Sequence, residues 1–217
     1  MRRFFGYIGY VLRHKALVYR MGMDMGLSRG RLLAHDLSRF SWTELSEGVR
    51  YFNRRSGSSQ VMAQEENGWS RSWLHHFHRN SHHWQYWIYY SCTPPNTAAN
   101  PLQMPMECIF EMIADWLAAQ AARRFISYRK IARRELWEDI IKQEDAWWLD
   151  CKDDILKKVH PRTGMVIEEI MADLKYEAKW QYLYEGLHDS PSYSPLRRLC
   201  KRNIQKYVHI SQYGKRQ

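Results

Sequence analysis

The sequence predicts an all-α fold: a helical bundle followed by a C-terminal helical extension. Apolar residues recur at helical spacing along most of the chain, no segment alternates convincingly as a strand, and capping residues and prolines cut the chain into helix-length pieces. At 217 residues the chain suits one domain with a tail, and the division expected is a bundle over 1–175 and a helical extension with a basic tail over 176–217. Apolar residues make up 45% and aromatics 14%, which excludes disorder through the bulk of it. Ten Trp and fourteen Tyr must sit largely in the core or around a cavity, because that much exposed ring surface would drive association.

A first helix is expected over 3–21, ending near Gly22, and a second over 28–39, with Ser28 as N-cap and His35-Asp36 late in it. Ser41-Trp42-Thr43-Glu44 matches a capping box and starts a third helix over about 42–53. Residues 53–68, rich in Arg, Ser, Gly and Gln, read as a loop. A histidine-rich helix follows over roughly 69–91. Pro94, Pro95, Pro101 and Pro105 forbid a helix across the next connection, which could act as a lid. Helices are then expected over about 106–124, 127–158 and 165–186, separated by the turn His160-Pro161-Arg162-Thr163-Gly164. A linker from Asp189 to Pro195 precedes a short basic helix and tail. No internal repeat is present.

The net charge of +10 points to an anionic partner. Outside Arg123–Arg124, Arg129–Arg134 and the tail from Arg197 to Arg216 the cations are dispersed, which favours a small phosphorylated ligand over DNA. The tail remains available for an accessory contact with nucleic acid or protein, and an oligomer or assembly subunit is an open possibility. Cys92, Cys108, Cys151 and Cys200 stand apart, so neither a disulfide framework nor a zinc knuckle is expected. A cytoplasmic or other reducing compartment follows, with organellar import as the alternative. No apolar run reaches membrane-spanning length, and the start is broken by Gly, Arg13 and His14 in a way that a secretory signal is not.

The densest chemistry lies in Trp73–Trp87, where His75, His76, His78, His82 and His83 fall within nine residues. On a helix, His76, Asn80 and His83 would share the inward face, with His82 in reserve. His75 and His78 read as solvent-facing. His76 and His83 would stand about 10 Å apart along the axis, wide for one ion and suited either to two ions or to one ligand with one substrate-binding histidine. Imidazoles with His14, His35-Asp36 and Asp115 make a mixed nitrogen and oxygen ligand set for one or two divalent cations, fitting Mn, Fe, Co, Ni or Zn better than Ca. Glu111, one turn before Asp115, is a candidate general base or a partner orienting a histidine. Asn80, Lys15 and His160 are candidates for holding a phosphate. Trp84, Trp87 and Trp116 are expected to pack around the site.

The order His14, His35-Asp36, His76, His83, Asp115 resembles the ligand order of the HD superfamily of helical metal-dependent phosphohydrolases, which implies an HD-like bundle. The stretches His14-Lys15, Arg31 to Phe40, Arg50-Tyr51-Phe52, His76 to Trp87, Met104-Pro105, Glu111 to Trp116 and His160 to Thr163 together resemble the domain-of-unknown-function family five-six-six-two. That family is found mainly in bacteria and phages and is sometimes labelled catalase. The resemblance covers about 12–170 and marks His14, His35, Asp36, His76, Asn80, His82, His83, Glu111, Asp115 and His160. It implies no activity, and nothing here assigns a haem. The segment 124–158 and the tail after about 175 depart from the pattern.

The expected function is metal-dependent phosphohydrolysis of a nucleotide or small phosphate ester by metal-activated water. His14, His35, Asp36 and Asp115 would form the metal core, and His76 and His83 would serve a second ion. The alternatives are an HD-like di-iron oxygenase and a non-catalytic binding or structural subunit.

Overall fold

A computed structural model of the chain describes residues 1–52, 58–92, 98–123, 134–180 and 195–213. Expectations for 53–57, for Pro94 and Pro95 in the proposed lid, for the Arg129–Arg133 cluster, for the end of the 165–186 helix, for the 189–194 linker and for Lys215 and Arg216 fall outside those residues. Among the described residues, nine helices account for almost all regular structure: α1 (Arg2–Asp24), α2 (Arg29–Ala34), α3 (Trp42–Tyr51), α4 (Ser59–Asn67), α5 (Arg71–Phe77), α6 (Met106–Arg123), α7 (Arg134–Lys158), α8 (Pro161–Trp180) and α9 (Pro195–Tyr213). The fold is all-α.

The centre of the molecule is the packing of α1 on α6. Leu17, Val18 and Met21 of α1 join Ile109, Met112, Ile113 and Leu117 of α6 in a fully buried cluster that continues into Val166, Ile167, Ile170 and Leu174 of α8. The helix α8 continues past residue 175, and α9 packs along it, placing Leu196, Leu199 and Tyr207 in the same core. No helix of the described residues is long and apolar enough to cross a membrane. None of the four cysteines is disulfide-bonded.

Several boundaries differ from expectation, each for a local reason. Gly22 does not stop α1. It lies inside the helix where α2 approaches so closely that a Cβ would meet Leu32 Cδ2 at 2.3 Å. The second helix ends at Ala34 instead of 39, because Asp36 adopts a left-handed conformation (φ 54°), which Asp tolerates better than most residues. A 3₁₀ turn, Leu37–Phe40, then leads to Ser41, whose Oγ accepts from Glu44 N at 3.4 Å to start α3.

Part of the expected loop 53–68 is the helix α4. Its single buried residue, Ala63, gives a weak apolar signature, and Gly68 (φ 79°) ends it. The expected helix over 69–91 is only two turns long. Asn80 diverts the chain by donating its Nδ2 to His76 O at 2.8 Å, satisfying a carbonyl that further helix would have used. Tight turns and a 3₁₀ segment (Trp84–Trp87) follow. Then comes a strand that the sequence did not foretell: β1 (Ile88–Tyr90) pairs antiparallel with β2 (Ala99–Pro101), Ile88 opposite Pro101 and Tyr90 opposite Ala99. The turn at His160 is shorter than expected, since α8 begins directly at Pro161, a residue whose fixed φ suits a first helical position.

Candidate metal centre

His14 comes from the middle of α1, one turn before Leu17 and Val18, so the periodicity that buries those residues buries it too. Its ring stacks on Tyr10 at 6.3 Å, and its Nε2 lies 2.8 Å from Asp115 Oδ1 on α6. The break after α2 supplies the next pair. Adjacent residues on a helix point about 100° apart, and because α2 ends at Ala34 this pair is not held to that spacing. The left-handed Asp36 backbone turns both inward. His35 Nε2 is then 3.7 Å from both Asp36 Oδ1 and Asp115 Oδ1, and His14 Nε2 is 4.0 Å from Asp36 Oδ2. His14, His35, Asp36 and Asp115 thus offer four buried ligand atoms within 4.8 Å of one another.

A second group shares Asp36. His76 Nε2 lies 3.3 Å and His82 Nε2 3.4 Å from Asp36 Oδ1, and His83 completes a set whose ligand atoms again lie within 4.8 Å. The imidazoles crowd together, with ring centroids 4.4 Å apart for His35 and His82, 4.7 Å for His76 and His83 and 4.3 Å for His82 and His83. His76 and His83 therefore meet without sharing a helical face, because the chain folds back after α5. His82, held in reserve by the sequence reading, stands in the group beside both of them.

Behind these rings stand two carboxylates. Glu111 Oε1 accepts from His35 Nδ1 at 2.8 Å and lies 3.3 Å from His82 Nδ1, while Arg31 Nε donates to Glu111 Oε2 at 2.5 Å. Glu44 lies between His75 Nδ1 at 2.7 Å and His76 Nδ1 at 2.9 Å. An ionised carboxylate has no proton to give, so each Nδ1 must be the donor. The lone pair of His35, His76 and His82 is left on the Nε2 that faces Asp36. The result is a set of inward donors that lack hydrogen bonds: His14, His35, His82 and His83 Nε2 and Asp36 Oδ1 are all buried with none of acceptable geometry among the described residues. Such orphaned atoms are costly in a folded interior. A cation would satisfy them together, so the residues fit one or two divalent metals.

The electrostatics agree. Burial alone would raise the Asp36 carboxyl, but His76, His35 and Arg39 hold it well below the usual range. Asp115 is likewise held well below that range, against burial, by His14 and His35. Glu111 is lowered to about 2 by His35 and His82 despite its burial. Burial pushes His83 well down, and the charges of His82 and His76 add to this. His35 goes the other way: Asp36, Asp115 and Glu111 outweigh burial and lift it to about 10, so its Nε2 carries a proton that a cation would have to displace before the lone pair could ligate.

Four further expected residues stand in these settings. Glu111 faces imidazole Nδ1 atoms and a guanidinium, the setting of the histidine-orienting role expected as one of its two alternatives, and with His35 and His82 it forms a third possible ligand group. Lys15 donates its Nζ to the carbonyls of Leu33 and His35, bracing the turn that aims His35. Asn80 donates to Ser38 Oγ and His76 O, both at 2.8 Å, so it holds the His76 segment in place of a phosphate. His160 is the N-cap of α8, its Nδ1 accepting from Arg162 N at 3.2 Å, and belongs to none of the ligand groups. Conversely, the sequence reading missed Glu44, whose capping-box spacing hid its inward role. It also missed Arg39, which donates from Nε to Asp36 Oδ2 at 3.0 Å and places a second nitrogen 3.3 Å from His76 Nε2.

The cluster opens on a cavity of about 510 Å³ whose lining includes His14, Arg39, His83 and Asp115. Trp84 and Trp116 line it as expected; Trp87 instead donates its Nε1 to Ser81 O at 2.7 Å.

Fold and site define an all-α protein that gathers five imidazoles and two carboxylates into a buried cluster of metal-ligand type. The chain belongs to the family of unknown function DUF5662, whose sequence profile matches residues 3–173. No curated protein and no solved structure matches it.

Proposed function

We propose that the chain is a metal-dependent phosphohydrolase of HD-like type, acting on a small phosphate ester at a centre for two divalent cations. The observation that carries this reading is Asp36, which is common to both four-residue ligand groups and would be the residue that two cations share. The order His14, His35-Asp36, His76, His82-His83, Asp115 along the chain supports it, being similar to that of the HD superfamily. Cations held there would polarise a phosphoryl oxygen and lower the pKa of a bound water enough for it to attack.

The remaining work belongs to the chain. Glu111 and Glu44 fix the tautomers and tilt of His35, His76 and His82. Arg39 lines the cavity beside the cluster and is the cation best placed to hold the substrate's phosphoryl oxygens, since a planar guanidinium can bond two of them at once. Lys15 keeps the His35 turn in register. The test is elemental analysis of protein purified anaerobically, paired with hydrolysis of a phosphate-ester panel. One to two equivalents of metal and turnover that Asp36→Asn abolishes are expected. Metal-free protein that also takes up no added Mn, Fe or Zn would sink the proposal.

A second reading, oxygen activation by two irons, is favoured by the excess of imidazole over carboxylate among the inward ligands. Iron content with an oxygen-dependent visible spectrum, and no phosphatase turnover, would select it.

A further inference from the structure

The metal-facing residues are a minority of the cavity lining. Four indoles, Trp73, Trp84, Trp116 and Trp147, share it with Tyr7, Tyr10 and Phe52. Trp116 and Trp147 meet edge to face at 5.0 Å, and Trp73 meets the His83 ring edge to face at 5.0 Å, so the indoles lie in two groups around the lining. Ser58, Gln60 and Gln85 add neutral polar groups. Gln85 Oε1 is buried and has no hydrogen bond among the described residues, which is an acceptor waiting for a donor. Among the described lining residues Arg39 is the one lysine or arginine.

We propose that this cavity binds a nucleoside monophosphate, the base between the indoles with an N–H directed to Gln85 Oε1, and the phosphoryl group toward His14, Asp115 and Arg39. Only the phosphoryl end rests on the phosphohydrolase reading. Aromatic walls select a planar π-system, whichever base it is. The orphan amide oxygen selects a heterocycle with a donor edge over a plain phenyl ring, because the latter would leave the oxygen unsatisfied. The volume lies within the range of small-molecule pockets. A single phosphoryl group matches the charge of the described lining: a triphosphate would bring further negative charges and find no second lysine or arginine among the described lining residues.

The experiment is a titration of the full chain, as purified, followed by quenching of tryptophan fluorescence. The probes are AMP, GMP, CMP, UMP, ATP, adenosine, guanosine, cytidine, uridine, ribose 5-phosphate and phenyl phosphate. At least one monophosphate should bind ten times more tightly than ribose 5-phosphate and than ATP. Its nucleoside alone should still quench after chelation of metals. Gln85→Met, similar in volume and lacking the acceptor, should weaken that monophosphate about tenfold and leave phenyl phosphate unchanged. Trp147, 37% exposed, offers a second variant that is easier on the fold, and Trp147→Leu should weaken the nucleotide and spare ribose 5-phosphate. Equal affinity for ribose 5-phosphate and every monophosphate, or preference for ATP, would overturn the assignment, as would a Gln85→Met protein that discriminates like the parent. Because nucleoside quenching needs no metal, failure of the metal centre registers separately in the elemental analysis.

Discussion

Glu44 illustrates how a single side chain can serve the site from behind. Its spacing from Ser41 is that of a capping box, yet its carboxylate reaches His75 and His76 instead of the helix start. Carboxylates in this position raise ligand basicity and fix ring orientation, and their loss typically costs 10–100-fold in metal affinity. Glu44→Gln should therefore lower metal affinity by about that factor, since the amide can no longer accept from two Nδ1 donors as a full charge. His160→Ala is the matched comparison. It removes an N-cap acceptor from α8, with a stability cost of about 0.5–1 kcal/mol, and should leave metal content unchanged. Competition with a chromogenic chelator measures the first effect and chemical denaturation the second. A metal loss in His160→Ala as large as that in Glu44→Gln would refute the division of roles.

Two contacts between elements determine where the ligands stand. At Gly22 the helices α1 and α2 approach so closely that an added methyl would collide with buried Leu32. Gly22→Ala gains helix propensity of about 1 kcal/mol but incurs an overpacking cost of about 1–3 kcal/mol. The expected outcome in urea is a net loss of up to about 2 kcal/mol, with weaker metal binding because His35 directly follows α2. At the other side, Glu47 of α3 accepts from Arg71 N at 3.1 Å, from Ser72 N at 3.1 Å and from Ser72 Oγ at 2.7 Å, clamping the start of α5, which carries His76. Burial works against the Glu47 carboxylate, but the donors of Ser70, Ser72 and Arg71 lower its pKa below the ordinary 4.5. A carboxyl lowered in the folded state contributes stability above its unfolded value and loses it as pH falls through the folded one. The melting-temperature gap between the parent and Glu47→Gln should accordingly be full at neutral pH and shrink below about 4.5. A gap that widens on acidification would show the sign to be wrong.

Much of this arrangement was legible in the sequence, and its limits have physical causes. Periodic apolar positions gave the long helices α1, α6 and α8, because burial of one stripe is what makes such helices form. His14, His35, Asp36, His76, His83 and Asp115 do meet. The route by which they meet was illegible: a left-handed Asp36 and a helix cut short by an asparagine are single-residue breaks that apolar periodicity does not register. Helical-wheel reasoning therefore reached His76 and His83 through a helix that is not there, while Glu44 was read only as part of a capping box and Arg39 only as part of a matching stretch.

The convergence also makes the centre part of the fold's energetics. Its ligands come from α1, the α2–α3 connection, α5 and its following turns, and α6, so a bound cation ties α5 to α1, α2 and α6, which the aliphatic core already joins. Free cation at about a hundred times its Kd would add about 2.7 kcal/mol, which for a chain of this size is roughly 5–10 °C in Tm. Chelation should lower the melting temperature by that amount, and readdition of Mn, Fe or Zn should restore it. Asp36→Asn lacks the shared carboxylate that both groups need, so its Tm should be insensitive to chelator. A parent protein equally indifferent to chelator and to added metal would mean that the orphaned nitrogens of His14, His35, His82 and His83 are tolerated without a cation, and the site would lose its chemical rationale.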